Sequence, residues 1–442
     1  MNHSGNVDQD DIVRARNVLL ASGRRTPREE VDAYRVLAQV SPAAYLPRLA
    51  KALQRLSYDT GSGRPHDACL ALREEAVAAA RAIDPAEPAR ADLLYDALDS
   101  CQRELYAQGR RTEGLAMRAE MLAVGRAQAD LTRDPRVRGL RDWAAGLSEE
   151  GRFAEAADAL TEWVGALLPH GPNSGSLAWS LLEWIAALDA AGRPVEALAA
   201  FEILVDMEGA EAANDRGPMA CHFYSLLGYA HMLDTYGRDE QATAVRQDAL
   251  ALLTELAATG ERRSSSSYQA TYWAVLLPFY GADTERQASG EPRFPSGSTP
   301  MVWTPDVKQR YFDSRITLRE EVDSLALRAA EDPDQHLAEL VRLHRVLTVR
   351  SAVYWEQCTH LFAERVRPLF NEGVSLARQL SRQDPADGAR TLANVLIDRS
   401  TFHTAAREFG PALDDFRQAL SHLGEADWHN GREVTRQTRP GG

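Results

Sequence analysis

Few side chains in this sequence stand at spacings that could do chemistry. Eleven histidines are scattered along the chain, and the nearest groupings are Cys358 with His360 and His336 with His344. On helices these separations give poor metal geometry without further ligands, so structural or surface roles are expected. Glu149-Glu150 and Glu320-Glu321 could serve as paired carboxylates only if buried together, and they read instead as solvated helix faces. The four cysteines, Cys69, Cys101, Cys221 and Cys358, lie far apart and make neither a CxxC pair nor a disulfide framework. They are expected to be buried thiols in a reducing compartment. No Gly-rich phosphate loop, HExxH, G-x-S-x-G or kinase signature occurs. No catalytic residue, metal site or cofactor is therefore expected, and the chain reads as a non-enzyme.

Charge and composition narrow the partners. Of the 50 basic residues only Lys51 and Lys308 are lysine, a bias expected of a GC-rich genome rather than of a role for arginine as a class. A net charge of −14 with no basic stripe argues against nucleic acid. Met1 to Asp11 carries no apolar stretch of a secretory signal. The longest apolar run, Ala274 to Tyr280, is interrupted by Pro278 and falls far short of a membrane span. The expectation is a soluble, cytoplasmic protein of undetermined oligomeric state.

The elements that position these residues are marked by one recurring phrase. It reads Gly151-Arg152-Phe153-Ala154-Glu155-Ala156, and again Gly192-Arg193-Pro194-Val195-Glu196-Ala197 and Gly237-Arg238-Asp239-Glu240-Gln241-Ala242. Earlier copies are Gly63-Arg64-Pro65-His66-Asp67-Ala68 and Gly109-Arg110-Arg111-Thr112-Glu113-Gly114. The intervals between the glycines are 46, 42, 41 and 45 residues, which marks a repeat protein. Apolar residues at helical spacing flank each copy, for example Leu140, Trp143, Ala144 and Leu147 before Gly151, and Ala157, Leu160 and Val164 after it. Two amphipathic helices around a glycine turn make a helical hairpin. The small residue five positions after the glycine sits where the second helix crosses the first. One hairpin cannot bury its own apolar face, so the units must stack.

The Gly-Arg-x-x-Glu-Ala turn, its small residue and the fixed apolar offsets resemble the tetratricopeptide repeat (TPR) proteins. The resemblance covers roughly 45–260 and returns at 392–420, where Arg407-Glu408-Phe409-Gly410-Pro411-Ala412-Leu413 keeps the pattern. The period exceeds the usual ~34 residues, as in the long-repeat variety of large bacterial regulators and kinesin light chains. The implied fold is all-α, a superhelical solenoid of about eight to ten antiparallel hairpins. Residues 1–44 are expected to form an irregular N-terminal hairpin turning at Gly23-Arg24-Arg25-Thr26-Pro27. Regular repeats occupy 45–265, degenerate ones 266–385, a C-terminal repeat 386–423 and a polar, disordered tail 424–442. Helices are expected at about 306–331, 335–349 and 351–382. Before them, 282–305 holds Gly290, Pro292, Pro295, Gly297, Pro300 and Pro305, a loop of breakers. Disorder is the expectation there. Phe294, Met301, Val302 and Trp303 are nevertheless costly to leave in water, and docking on the solenoid is the alternative.

The resemblance also implies a binding face, lined by the first helix of each hairpin. Counting back from each turn in the family's register gives Asp96, Asp99, Arg103 and Tyr106, then Arg138, Arg141 and Ser148. It continues with Trp179, Leu182 and Asp189, then Tyr224, Leu227, His231 and Asp234. Aromatic anchors and charge-specific donors suit a peptide groove, while pairing of Arg138 and Arg141 with Asp96 and Asp99, or a core role for Trp179 and Tyr224, is the alternative. The Lys/Asn clamp that holds a C-terminal carboxylate in some family members is missing. Two functions follow: an interaction scaffold binding a partner protein or peptide on the concave face, or a peptide- or ligand-sensing regulator whose curvature changes on binding.

Overall fold

The computed structural model describes residues 8–21, 25–60, 66–171, 177–262, 266–280, 293–356 and 362–437. The turns expected at Gly23 and Gly63, residues 282–292 of the breaker-rich loop, and the pair Cys358 and His360 lie outside them. The described residues contain helices and no strand. They are all-α and fold as successive antiparallel helical hairpins.

The repeated phrase stops one helix and starts the next by a fixed set of bonds. Gly109, Gly151, Gly192 and Gly237 have φ of 72°, 72°, 70° and 68°, a conformation that costs any residue with a Cβ. In each turn the following arginine sends its backbone N–H back to a buried leucine carbonyl: Arg110 to Leu105, Arg152 to Leu147, Arg193 to Leu188 and Arg238 to Leu233, at 2.8–2.9 Å. The arginine carbonyl then accepts the N–H of the small residue, opening the second helix. Its guanidinium forks onto the glutamate three residues on, Arg110 on Glu113, Arg152 on Glu155 and Arg193 on Glu196. Ala156, Ala197 and Ala242 are fully buried at the crossing. Gly114 stands at the same place in its hairpin because a Cβ there would lie 2.8 Å from the Tyr106 ring.

Two compact units divide the described chain. Unit 1 holds residues up to Ala166 together with Thr304–Asp306. It contains α1 (Gln9–Leu20), α2 (Pro27–Val40), α3 (Pro42–Thr60), α4 (His66–Arg81), α5 (Arg90–Ala107), α6 (Arg111–Thr132), α7 (Leu140–Glu149) and most of α8 (Phe153–Leu167). Thr26 caps α2, its hydroxyl accepting the Glu29 N–H while the Glu29 carboxylate accepts the Thr26 N–H. Consecutive helices pack antiparallel, and ion pairs about one repeat apart tie hairpin to hairpin, including Arg35–Glu75 and Arg81–Glu120.

Unit 2 begins with α9 (Leu177–Ala190), α10 (Pro194–Ala213), α11 (Met219–Thr235), α12 (Asp239–Thr259) and α13 (Ser266–Tyr280). It continues through α14 (Pro305–Glu331), whose first two residues cluster with unit 1, α15 (Pro333–Glu356), α16 (Phe362–Gln383), α17 (Pro385–Ala405) and α18 (Phe409–Gln437). From Ala270 to Leu277 all but Thr271 of α13 is buried, and a helix apolar all round must be covered on every side. Among the described residues the next helix after α13 is α14, while α17 packs against α13 and α11, and α18 packs against α12. Phe223 meets Phe416 edge-on at 5.7 Å, and Trp273 sits among Phe370 and Phe402 with its indole N–H on the Thr401 hydroxyl.

Three expectations change. The helix boundary set near 349–351 is absent, because Arg350-Ser351-Ala352-Val353 contains no stop and its apolar side chains are buried, so α15 runs on to Glu356. α18 continues past Gly424 to Gln437, through a stretch with no proline. The described part of the breaker-rich loop, 293–304, is packed rather than loose.

Candidate functional site

Within unit 1 the expected face is built by α5 and the residues entering α7. Arg138, just before α7, reaches Asp96 at 2.9 Å and Asp92 at 3.2 Å, while its guanidinium lies 3.6 Å from the centroid of the Tyr95 ring. Tyr95 donates its hydroxyl to Asp142 at 2.9 Å, and burial together with that carboxylate pushes its pKa upward. Asp99 accepts from Gln102 and pairs with Arg103 one turn on. Asp96, Arg103 and Arg138 are exposed, and Asp99 and Arg141 are half-buried. The structure thus joins Arg138 to Asp96, as the pairing alternative had it.

Tyr106 departs from the groove expectation. It is fully buried, with Arg111 and Arg118 at 5.0 and 4.9 Å from its ring, and burial pushes its phenol up to about 12. A ring closed off in this way offers no face to a ligand.

In unit 2 the same correction applies to Tyr224, which has no exposed surface and packs against Phe223 in the core. Trp179 is half-buried in a cluster with Tyr268 at 5.5 Å and Tyr272 at 5.6 Å, so it too serves the packing between hairpins. Asp189 receives the Tyr236 hydroxyl, Asp234 pairs with Arg246, and His231 is half-buried with its carbonyl on the Thr235 hydroxyl.

The face of α9 is occupied by the chain itself. Gly297 approaches so near that a Cβ would stand 2.4 Å from the Leu182 carbonyl oxygen and 2.9 Å from the Ala186 Cβ. Leu182 is one of the positions that the TPR register assigned to the binding face. Around this contact Ser298, Thr299 and Trp303 are buried. The Trp303 indole N–H donates to the Ser298 hydroxyl at 2.9 Å, which itself donates to the Pro295 carbonyl. Phe294 and Trp303 both meet the Tyr311 ring edge-on, at 4.8 and 5.0 Å.

A second occupied place lies in unit 1, where α6 begins and α7 ends. Glu149 is fully buried, in contrast to the solvated face expected of Glu149-Glu150. Its carboxylate accepts the Thr304 backbone N–H at 2.8 Å, the Thr304 hydroxyl at 2.6 Å and Arg111 Nη2 at 2.9 Å. Arg111 also donates through Nε to Glu150 at 2.7 Å and through Nη1 to Asp306 at 2.7 Å and the Thr304 hydroxyl at 3.2 Å. Burial opposes the charge of Arg111, but the carboxylates of Asp306 and Glu149 outweigh it, and its pKa stands above the ordinary value. The sequence carried a trace of this site: Arg111 is a second arginine after the turn arginine, and Glu149-Glu150 follow about one repeat later, directly before Gly151.

No protein-family model matches the sequence, and neither does any curated protein. Among solved structures, a Podosopora anserina putative kinesin light chain with nearly identical TPR-like repeats is 17% identical, with a TM-score of 0.37 over 48% of this chain and 97% of that one. The Naa15/Naa10 complex bound to HypK-THB has a chain 12% identical, with a TM-score of 0.33 over 93% of this chain and 58% of that one. The TPR domain of P58(IPK) is 12% identical, with a TM-score of 0.21 over 98% and 99% of the two chains. The fold class rests on the hairpins and turns of the chain itself.

Proposed function

We propose that this protein is a non-enzymatic interaction scaffold that binds an extended segment of a partner protein along the first helices of its hairpins. One observation carries the reading: the face of α9 already meets an irregular, turn-rich segment of the chain, 293–303, through close backbone approach at Gly297, with Trp303 buried beside Tyr311. A surface that buries its own chain in this way has the shape and polarity to bury another's. The exposed Asp96, Arg103 and Arg138, with Arg141 beside them, supply charge-specific contacts on the corresponding face of unit 1. The aspartates at the candidate positions hold arginines or a phenol, an arrangement for pairing rather than proton transfer.

The second reading is a peptide- or ligand-sensing regulator. It is favoured by the grip of Arg111 and Glu149 on Thr304–Asp306, since a site already filled must be emptied before a partner enters.

Selection of a random peptide display library on the immobilised full chain tests the proposal. Enriched peptides should bind in solution and weaken by about tenfold or more on Arg103→Glu or Arg141→Glu, a loss of roughly 1.4 kcal/mol. Helical content of both variants should stay unchanged. Absence of enriched peptides, or binding indifferent to these charges, would contradict it.

A further inference from the structure

We propose that Arg111, Glu149 and Glu150 form a peptide-recognition site of unit 1, filled in cis by Thr304–Asp306. In trans it takes a partner segment carrying an unmodified Ser or Thr followed two positions later by a carboxylate. This rests on the scaffold reading and names the chemistry of one of its sites.

The division of labour at Arg111 points this way. Nε and Nη2 are spent on Glu150 and Glu149, which belong to the end of α7 and fix the plane of the guanidinium. Only Nη1 turns to the occupant, where it meets the Asp306 carboxylate and the Thr304 hydroxyl. Glu149 likewise offers its carboxylate to the occupant's main-chain N–H and hydroxyl together. The site therefore reads one backbone donor, one hydroxyl donor and one carboxylate. Pro305 between them has no N–H left to satisfy. The Tyr106 ring lies near Arg111 on one side, and Gly114 leaves that ring its room.

The same geometry sets what is refused. A phosphate on the hydroxyl would place negative charge against the buried Glu149 carboxylate and remove the donor that Glu149 requires. The cis segment is tethered, with an effective concentration on the order of millimolar, so a trans peptide competes poorly until the cis contacts are weakened.

The test uses a fluorescein-labelled peptide of residues 300–309, read by anisotropy against the full chain and its Thr304→Val/Asp306→Asn variant. The variant should bind the peptide about tenfold or more tightly than wild type, since hydrogen bonds to charged groups carry the competition. Adding Glu149→Gln should erase that gain, and a phosphothreonine peptide should fail to bind. Equal binding to both proteins, no binding at millimolar peptide, or indifference to Glu149→Gln would overturn the proposal. If the double variant loses its helical signal, Thr304→Val alone, which keeps the side-chain shape, is held to the same outcomes. Library peptides that respond to Arg103 and Arg141 but ignore Glu149→Gln would leave the scaffold reading standing and remove this one.

Discussion

Glu149 receives both the backbone N–H and the hydroxyl of Thr304, at 2.8 and 2.6 Å, across 155 residues of sequence. The carboxylate has no exposed surface, so its charge depends on these donors and on Arg111. Replacing Arg111 by Ala leaves a buried carboxylate short of its cation and should cost about 3–5 kcal/mol. Thr304→Val removes the hydroxyl's bonds with Glu149 and Arg111 at constant shape, leaves the Arg111–Glu149 ion pair in place, and should cost only about 1–3 kcal/mol. Chemical denaturation of both variants checks the order. A Thr304→Val loss as large as that of Arg111→Ala would mean that the ion pair is not the main element.

The crossing of helices at each turn leaves no room. Ala156→Leu and Ala197→Leu should each cost about 1–3 kcal/mol through overpacking. Gly114→Ala should also destabilise, because its Cβ meets the Tyr106 ring at 2.8 Å. Thermal melts unchanged in all three would contradict the packing at these crossings.

Arg407 occupies the place that glycine holds in the other turns, with φ of 63°. Glu408 sends its N–H to the His403 carbonyl, as the turn arginines do elsewhere. Arg407→Gly should therefore stabilise unit 2 by up to about 1 kcal/mol, relief of the left-handed strain outweighing the added chain entropy. A lower denaturation midpoint would contradict this.

Glu208 on α10 is buried, and burial, aided by Glu211, raises its pKa to about 8. The folded state then holds a proton that the unfolded state gives up near the ordinary carboxylate pKa. That contribution is complete below the unfolded pKa and is lost as pH rises toward 8. Glu208→Gln should flatten the fall in melting temperature between pH 5 and pH 8, readings bracketed by the two pKa values. Parallel pH profiles for the two proteins would show that Glu208 does not set the slope.

Much of the architecture was written in local pattern. The Gly-Arg phrase announces a left-handed stop, a backbone bond to a buried leucine and a small residue at the helix crossing, all of which recur at 109, 151, 192 and 237. Asp96 and Arg138 stood about one repeat apart and do pair. What the pattern could not supply depends on partners distant in sequence. Tyr106 looks like a groove aromatic until Arg111, Gly114 and Arg118 of the following helix close on its ring, and Tyr224 until it is packed into the core with Phe223. Glu149 looks solvated until Thr304 arrives from a stretch of prolines and glycines that has no periodicity to read. The packing of α18 on α12 likewise leaves no mark in a window of any local length.

The central claim is that this fold holds an irregular segment of its own chain as it would hold a partner's. Hydrogen–deuterium exchange across residues 297–306 of the full chain tests it most directly. Bound as described, the Thr304 amide should exchange on the order of a hundredfold or more slowly than in the free peptide, with Glu149→Gln releasing it. Exchange of that amide in the wild-type chain at the free-peptide rate would contradict the account.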